Sequence, residues 1–468
     1  MIRRAGHVAA AACLAIALTF TGHAGAASAT AAPDWPKNII ILFADGAAPM
    51  QWDFGRHTSA ALRREPFATT DIVFREGVLG LLATEALGDY VADSAATASA
   101  MSTGHKTVNG AIAVAPDGAP QRTLMQAAKA AGKRIGLVTT APVHDATPAA
   151  FSVNARSRHD SQAIVDRLLA LEPDVLMGGG AAHFMPAETR GGRRKDGRNL
   201  VAAFREKGYA IARNTAELKA AGGQKVLGLF AQGFMRYELD RDPAQEPSTA
   251  EMAGVALAIL SQGSPNGFVL LIENENIDNA GHSNDAASLM RALWAFDDAV
   301  KVALAFQRSN PDTLLIVTSD HETGGFSPTQ SFPDPLNWRK GAISPRTMEL
   351  ELLAGISMSF GMAAEQLRAR PTPEALDALL AKHFPGFRLD SDLRELLLNR
   401  KPVGHAFTYP PLNALGVMVA RQTGFYWATS GHTPQPVAVG AIGPGAVLFR
   451  GYQQNSDFGR HLHRLLGR

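Results

Sequence analysis

Short apolar runs that end beside acidic or histidine residues recur along this chain of 468 residues, and they limit strongly how it can fold. The first run, N-I-I-I-L-F, is rich in β-branched residues and ends just before Ala44 and Asp45. A continuous apolar run of this length is typical of a strand that is buried on both faces, as in a parallel sheet. By the same pattern, strands are predicted at residues 38–43, 134–140, 174–177, 268–272, 313–319 and 436–442.

Helical patterns lie between these runs. They are found at residues 94–102, 160–171, 248–260, 284–306 and 458–466. Strands that alternate with helices predict an α/β fold, a three-layer sandwich with a central, mostly parallel β-sheet flanked by helices. We interpret residues 33–468 as one domain, with insertions at about 180–246 and, mostly helical, at about 327–425. Open α/β sheets bind ligands beyond the carboxyl ends of their strands, which is where polar residues cluster in this sequence.

The N-terminus has the organisation of a secretory signal peptide. Arg3 and Arg4 precede an apolar stretch, and small residues follow at 24–26 and 29–31. We therefore expect a signal peptide within residues 1–32, cleaved at about 26–32, and a periplasmic or secreted protein with no stable membrane insertion after its removal. Cys13 is the only cysteine and lies inside this segment, so we expect no disulfide in the mature chain.

The charge balance argues against one class of partner. The formal net charge is +2, with 45 basic and 43 acidic residues. A nucleic-acid-binding protein is expected to be strongly basic, because its affinity depends on neutralising phosphates. We therefore expect no nucleic-acid partner.

A serine opens the helical pattern V-A-D-S-A-A-T-A-S-A-M-S-T-G-H-K-T. Ser94 would lie at the helix N-terminus, where unpaired N–H groups and the helix dipole favour an alkoxide or a bound phosphate. Asp93 and Ser94 are equally typical of an ordinary N-cap. The motif alone leaves a nucleophile and a cap as alternatives.

Two further motifs follow apolar strands and contain the residue types that bind metals. Glu273, Asp278 and His282 come directly after F-V-L-L-I, and Asp320 and His321 follow T-L-L-I-V. Charged residues at a buried strand end need partners, and histidine with carboxylate is a frequent ligand set of hydrolytic zinc sites. A solvated loop for the first motif and a glycine-rich polar turn for the second are the alternatives.

Three other segments add candidates. H-D-A-T-P places the hard oxygens of Asp145 and Thr147 close together, of the kind that Mg²⁺ selects. Arg158 follows and has the planar guanidinium that binds phosphate through two hydrogen bonds. S-G-H-T places His432 between two glycine-bearing stretches. A plain turn into a helix, and a surface or core histidine, are the corresponding structural alternatives.

The identity and order of these motifs together resemble the alkaline phosphatase family, above all in D-S-A-A-T-A-S-A-M-S-T-G-H-K-T-V-N-G-A and D-A-T-P-A. The resemblance extends over nearly the whole mature chain. It implies an α/β sandwich of the alkaline phosphatase type that hydrolyses small-molecule phosphate monoesters with two zinc ions and one magnesium ion. The family usually forms homodimers, so a homodimer is a possible assembly.

The resemblance also implies a role for each matching position. The first zinc would be held by Asp278, His282 and His432, and the second by Asp45, Asp320 and His321. The magnesium would be held by Asp45, Thr147 and Glu273, with Asp145 either a ligand or a holder of its waters. Ser94 would be the nucleophile that forms a phosphoserine, and Arg158 would bind the phosphate.

Some features leave alternatives open. The family often has G-D-G-M-G after its first strand, whereas this chain has A-D-G-A-A, and Arg156 is the alternative to Arg158 if the register slips. His144 precedes Asp145, and in some relatives a histidine takes the place of the aspartate. A phosphodiesterase or nucleotide pyrophosphatase of the same superfamily, and a non-catalytic periplasmic metal- or phosphate-binding protein, are the competing functions. A sulfatase is disfavoured because the mature chain has no cysteine for C-x-P-x-R.

Overall fold

The computed structural model describes residues 35–223, 225–329, 347–368 and 372–467. These residues belong to a compact unit, Pro33–Arg468. The predicted signal peptide and Cys13 lie outside the described residues. Within the described part of the chain, no helix has the length and apolar character needed to cross a membrane.

A ten-stranded sheet, in the order β14-β2-β13-β8-β1-β7-β3-β4-β6-β5, forms the centre of the fold. β13 runs antiparallel to both of its neighbours, and the other neighbouring pairs of this sheet are parallel. The strands, including two short pairs outside this sheet, are β1 (Asn38–Phe43), β2 (Val78–Ala83), β3 (Arg134–Pro142), β4 (Val175–Gly179), β5 (Ala210–Ala212), β6 (Val226–Leu229), β7 (Phe268–Glu273), β8 (Thr313–Thr318), β9 (Glu322–Thr323), β10 (Ser327–Pro328), β11 (Phe425–Tyr426), β12 (His432–Thr433), β13 (Val437–Ile442) and β14 (Gly451–Gln454).

Helices cover both faces of the sheet. They are α1 (Pro49–Thr58), α2 (Ser94–Thr103), α3 (Leu124–Ala130), α4 (Ala146–Ser152), α5 (Ser161–Leu171), α6 (Leu200–Glu206), α7 (Thr215–Ala220), α8 (Thr249–Ser261), α9 (Asn276–Ser283), α10 (Ala286–Ser309), α11 (Thr347–Ala354), α12 (Phe360–Gln366), α13 (Pro373–His383), α14 (Ser391–Asn399), α15 (Leu412–Thr423) and α16 (Asn455–Leu466). Two π-helical turns, Ser59–Arg63 and Thr69–Phe74, and two 3-10 turns, Ala181–Phe184 and Ala446–Phe449, complete the described elements.

The alternation of side chains along β1 shows why both faces must be covered. Ile40 and Leu42 belong to a core that includes α8 and α10, while Ile39 and Ile41 belong to a second core that includes α2 and α16. All four are fully buried. An apolar run without polar alternation can form a strand only where both faces are covered, so the predicted three-layer fold is confirmed.

The order of the strands places the polar segments beside one another. β8, β1, β7 and β3 are adjacent, and Phe43 at the end of β1 is in register with Thr318 of β8 and Glu273 of β7. Because these strands are parallel, the residues that follow them emerge at one edge of the sheet. Asp45, Glu273 and Asp320 therefore meet although they are far apart in sequence.

Some elements differ from those expected. β2, β5, β6 and β14 lie outside the runs predicted as strands, and β5 has only three residues. β5 and β6 lie within residues 180–246, so this predicted insertion also extends the edge of the main sheet. The predicted insertion at 327–425 contains helices α11–α15 among its described residues, in agreement with its expected helical character.

Candidate metal and phosphate site

Three groups of acidic and histidine side chains lie at the carboxyl edge of the sheet. Within each group the potential ligand atoms all lie within 4.8 Å of one another. The groups are Asp278, His282 and His432 (cluster 1); Asp45, Asp320 and His321 (cluster 2); and Asp45, Glu273 and Glu275 (cluster 3). The structure thus brings together the first two predicted ligand sets in full and adds Glu275 beside the third.

Cluster 1 joins one helix to a short strand far along the chain. Asp278 and His282 lie four residues apart on α9, with His282 Nε2 3.2 Å from Asp278 Oδ2. His432 lies on β12, which pairs with β9, and its Nε2 is 3.3 Å from Nε2 of His282.

The Nδ1 atoms of His282 and His432 fix the orientation of the two rings, so that Nε2 of each ring points into cluster 1. Nδ1 of His282 lies 2.6 Å from the carbonyl oxygen of Ser430, and Nδ1 of His432 lies 2.9 Å from that of Ala92. A carbonyl oxygen only accepts, so each Nδ1 donates its hydrogen and each neutral ring keeps the lone pair of Nε2. Two lone pairs and a carboxylate that converge on one point form a binding site for a cation such as Zn²⁺.

Cluster 2 is fully buried. Asp45, Asp320 and His321 each have no measurable exposure, and His321 Nε2 lies 3.2 Å from Asp320 Oδ2 and 3.7 Å from Asp45 Oδ1. The hydroxyl oxygen of Ser94 lies 3.1 Å from the same Nε2. The serine is therefore directly beside the ligand atoms of cluster 2.

Cluster 3 contains oxygen donors. Asp45 belongs to it as well as to cluster 2, and its Oδ2 accepts a hydrogen bond from Thr147 Oγ1 at 3.5 Å. Oε2 of Glu273 accepts from the hydroxyl of Thr139 on β3. Carboxylate and hydroxyl oxygens are the ligands that Mg²⁺ prefers.

Burial and mutual repulsion make these carboxyl groups costly to ionise. Burial, with the neighbouring carboxylates Asp320 and Glu275, raises the pKa of Asp45 well above its usual value. Burial likewise raises the pKa of Glu273 to about 8 and that of Asp320 to about 6. Among the described residues, Asp45 Oδ1 and Glu273 Oε1 are buried without a hydrogen-bond partner. Buried oxygen atoms without donors are costly unless a cation binds them, so the residues present fit metal ions.

In cluster 1, by contrast, neighbouring charges favour the ionised forms of the carboxyl group and of one histidine. Burial disfavours the charged forms of both groups, but His282 and His432 lower the pKa of Asp278, and Asp278 raises the pKa of His282 to about 9. The carboxylate and the ring thus stabilise each other as an ion pair. A divalent cation at this point would replace the proton on His282.

Ser94 is the first residue of α2 and is buried, with 4% of its surface exposed. The N-cap is Asp93, whose side chain accepts from the N–H of Ala96, and the cap alternative for this motif therefore belongs to Asp93. The helix N-terminus offers N–H groups and a positive dipole end to an anion bound at the serine.

Arg158 is held by two carboxylates. Its Nη1 donates to Asp93 Oδ2 at 3.3 Å and its Nη2 to Asp145 Oδ1 at 3.2 Å. Arg158 lines a cavity of about 600 Å³ together with Ser94, Glu275, Asp278, His282 and His432. Arg156, the register alternative, is exposed, with its guanidinium against Gly118.

Sequence reasoning missed Glu275 and the threonines at the end of β3. Thr139 donates to Glu273, and the hydroxyl of Thr140 accepts the N–H of Glu275 at 2.9 Å. The available signal for Glu275 was its position two residues after Glu273 in E-N-E. Because the intervening geometry decides whether both side chains face one point, the spacing alone does not identify the pair.

Comparisons with known proteins agree with this geometry. A family model described as alkaline phosphatase matches residues 36–354. The repressible alkaline phosphatase of Saccharomyces cerevisiae is 32% identical, over 92% of this chain and 81% of the yeast protein. Alkaline phosphatase 3 of Bacillus subtilis is 30% identical, over 92% of this chain and 89% of its own. The crystal structure of the Thermus thermophilus alkaline phosphatase has a TM-score of 0.82 at 30% identity and covers 96% of both chains.

Proposed function

The chain belongs to the alkaline phosphatase family, and from this premise we propose that it hydrolyses phosphate monoesters through a phosphoserine at Ser94. One observation carries the proposal. The Ser94 hydroxyl opens α2 beside cluster 2 and shares a cavity with Arg158 and cluster 1. A nucleophile, an anion-binding guanidinium and two cation sites around one cavity are the parts that phosphoryl transfer requires.

We assign the cations by donor chemistry. Clusters 1 and 2 combine histidine nitrogen with carboxylate oxygen and would each hold Zn²⁺. Cluster 3, with Thr147, is an oxygen set and would hold Mg²⁺. When bound, these ions supply positive charge that lowers the pKa of a neighbouring hydroxyl and offsets the charge of the transferring phosphoryl group.

The reaction uses Ser94 in two displacements. In the first, Ser94 Oγ gives its proton to solvent and attacks phosphorus, the bond to the alcohol oxygen breaks, that oxygen takes a proton from solvent, and a phosphoserine forms. In the second, water attacks the phosphoserine and gives up a proton, the bond to Ser94 Oγ breaks, the serine oxygen regains a proton, and inorganic phosphate is released. The N–H groups at the start of α2 stabilise negative charge on the serine oxygen at both stages.

Arg158 positions the phosphoryl group. Its guanidinium is kept charged and oriented by Asp93 and Asp145, and it faces the cavity next to Ser94. A planar guanidinium can donate two parallel hydrogen bonds to phosphate oxygens that carry no ester group. Asp145 therefore acts by holding Arg158, and from the same position it would hold waters of the third ion.

The substrate is a small-molecule phosphate monoester, since the groups that converge on the cavity recognise the phosphate. From the N-terminal segment we infer export to the periplasm or the medium, with the signal peptide removed. Both assignments follow the family and the sequence.

A direct test compares the purified protein on an aryl phosphate monoester and on the corresponding diester, with and without a chelator. We expect hydrolysis of the monoester, fastest above about pH 8 because ligands must be deprotonated, and loss of activity on chelation. Retention of full turnover after complete removal of metal would contradict the proposed mechanism, and faster cleavage of the diester would favour a phosphodiesterase.

A further inference from the structure

The carboxylate of Glu275 does not cap the helix at whose start it lies. It is the N-cap residue of α9, a position where Ser, Thr, Asp and Asn are preferred, and within the described residues its side chain makes no capping hydrogen bond. Its backbone is fixed instead, because its N–H donates to Thr140 Oγ1 at 2.9 Å. The residue is 6% exposed, so its carboxyl group is removed from most solvent.

The side chain of Glu275 is directed at cluster 3. One of its oxygens lies within 4.8 Å of oxygens from both Asp45 and Glu273. A group of three buried acids is by itself no proof of a site. The independent observation is Glu273: its Oε2 accepts from Thr139, whereas its Oε1 is buried and has no hydrogen-bond partner among the described residues. That oxygen requires a donor or a cation, and the carboxylates of Asp45 and Glu275 in the same cluster offer only acceptors when ionised.

The carboxylate of Asp145 is engaged elsewhere. Asp145 Oδ1 accepts both from Arg158 Nη2 at 3.2 Å and from the N–H of Ala146 at 2.8 Å, and Asp145 is absent from the described groups whose oxygens converge. Glu275 and Asp145 thus have different partners. Glu275 faces the oxygen cluster, and Asp145 faces the guanidinium.

We propose that Glu275 is a direct ligand of the third cation, together with Asp45, Glu273 and Thr147, while Asp145 is a positioning residue for Arg158. The inference rests on the proposed function, since it concerns the same ion. An ion held by three carboxylates and a hydroxyl is a hard divalent cation, and each carboxylate removed weakens its binding. The third site should therefore depend on Glu275 more than on Asp145.

The test measures Mg²⁺ binding rather than turnover. Chelated full-length protein is reloaded with zinc and titrated with Mg²⁺ alone, and bound magnesium is determined by equilibrium dialysis with elemental analysis. We expect Glu275→Gln to raise the Mg²⁺ concentration for half-occupancy by about tenfold or more, since it removes one charged ligand. Asp145→Asn, the matched neutralisation, should shift it less than about threefold but weaken binding of inorganic phosphate.

Thermal unfolding distinguishes a ligand from a merely structural residue. In zinc-loaded protein without magnesium, Glu275→Gln should unfold at a temperature no lower than that of the parent, because no third cation is there to lose a ligand, and added Mg²⁺ should raise its midpoint less than that of the parent. A structural role would instead lower the midpoint equally with and without Mg²⁺. If Glu275→Gln does not fold, Glu275→Asp gives the same comparison with the charge kept and the reach shortened.

Three results would overturn the inference: an unchanged Mg²⁺ midpoint in Glu275→Gln, a larger loss in Asp145→Asn than in Glu275→Gln, or no Mg²⁺ binding by the parent protein. Failure of the proposed function would be seen separately. It would show as a parent protein that binds no zinc or does not cleave the monoester, which the same preparation reports independently of the magnesium titration.

Discussion

Removal of the cations proposed for clusters 1 to 3 should reverse the way in which the stability of this protein depends on pH. With the ions bound, protons compete for the ligands, so the free energy of unfolding should rise as pH increases from about 5 to about 8. After chelation, the buried carboxyl groups have no positive partner to share, and their ionisation should destabilise the folded state. The two forms are therefore expected to have slopes of opposite sign.

Glu273 gives the scale of the effect. Burial raises its pKa from the usual 4.5 to about 8 in the folded chain. A group whose pKa is raised in the folded state keeps its proton there. Its stabilising contribution to the free energy of unfolding is complete below the pKa of the unfolded state, and it is lost as the pH rises through the pKa of the folded state. At about 1.4 kcal/mol per pH unit, this one carboxyl group would cost the chelated protein about 5 kcal/mol between those limits.

The neighbouring carboxyl groups act in the same direction, whereas His321, whose pKa is lowered by burial, opposes them below its usual pKa of about 6.5. Burial raises the pKa of Asp45 and Glu275 well above their usual values, so both also hold protons when folded. The pKa of His282 is raised by Asp278 to about 9, and its contribution is lost between about pH 6.5 and 9. The lowered pKa of Asp278 affects only more acidic conditions.

The assay is urea unfolding of chelated and metal-loaded protein at about pH 5, 6.5 and 8, followed by circular dichroism. Glu273→Gln, chelated, is the control and should have a shallower slope because one of the buried titrating carboxyl groups is gone. A chelated protein whose stability stays constant or increases between about pH 6.5 and 8 would refute the reasoning, since the buried carboxyl groups would then carry no cost.

Three further substitutions test separate parts of the site. Ser94→Ala should abolish phosphoenzyme trapping while the zinc content stays unchanged, and loss of zinc would mean that the serine is structural. Arg158→Ala should weaken phosphate binding by roughly 10- to 100-fold, as expected for the loss of charged hydrogen bonds, whereas Arg156→Ala should leave phosphate binding unchanged. The opposite result would assign the phosphate-binding role to Arg156. Gly46→Ala should lower the free energy of unfolding by about 1–3 kcal/mol and reduce activity, because Gly46 has φ of 81° and a Cβ there would lie 2.7 Å from Asp278 Cα. A fully active variant of unchanged stability would contradict that contact.

The sequence predicts the centre of this fold well because buried parallel strands need uninterrupted apolar residues. β1, β7 and β8 match the predicted runs within one residue at each end. β2 is apolar but contains a glycine and only one β-branched residue, and β5 is too short to give a pattern. β2 has alternate exposed residues, and β5 has three residues and is defined by its pairing with β6. Such strands depend on tertiary partners, which local patterns do not contain.

In the site as well, contacts within one element can be predicted from the sequence, whereas contacts between distant segments cannot. Asp278 and His282 are readable because a spacing of four residues on a helix places them together. His432 lies 150 residues beyond His282, and only the pairing of β12 with β9 brings it into cluster 1. Its assignment as a ligand from the sequence rests on the family resemblance, because no local pattern links it to His282.

Anomalous X-ray diffraction at the zinc edge, on crystals of the intact protein, tests the central claim most directly. We expect two strong peaks, one among Asp278, His282 and His432 and the other among Asp45, Asp320 and His321 beside Ser94 Oγ. Zinc that binds only elsewhere on the surface, or clusters that remain without an anomalous signal at saturating zinc, would contradict the account.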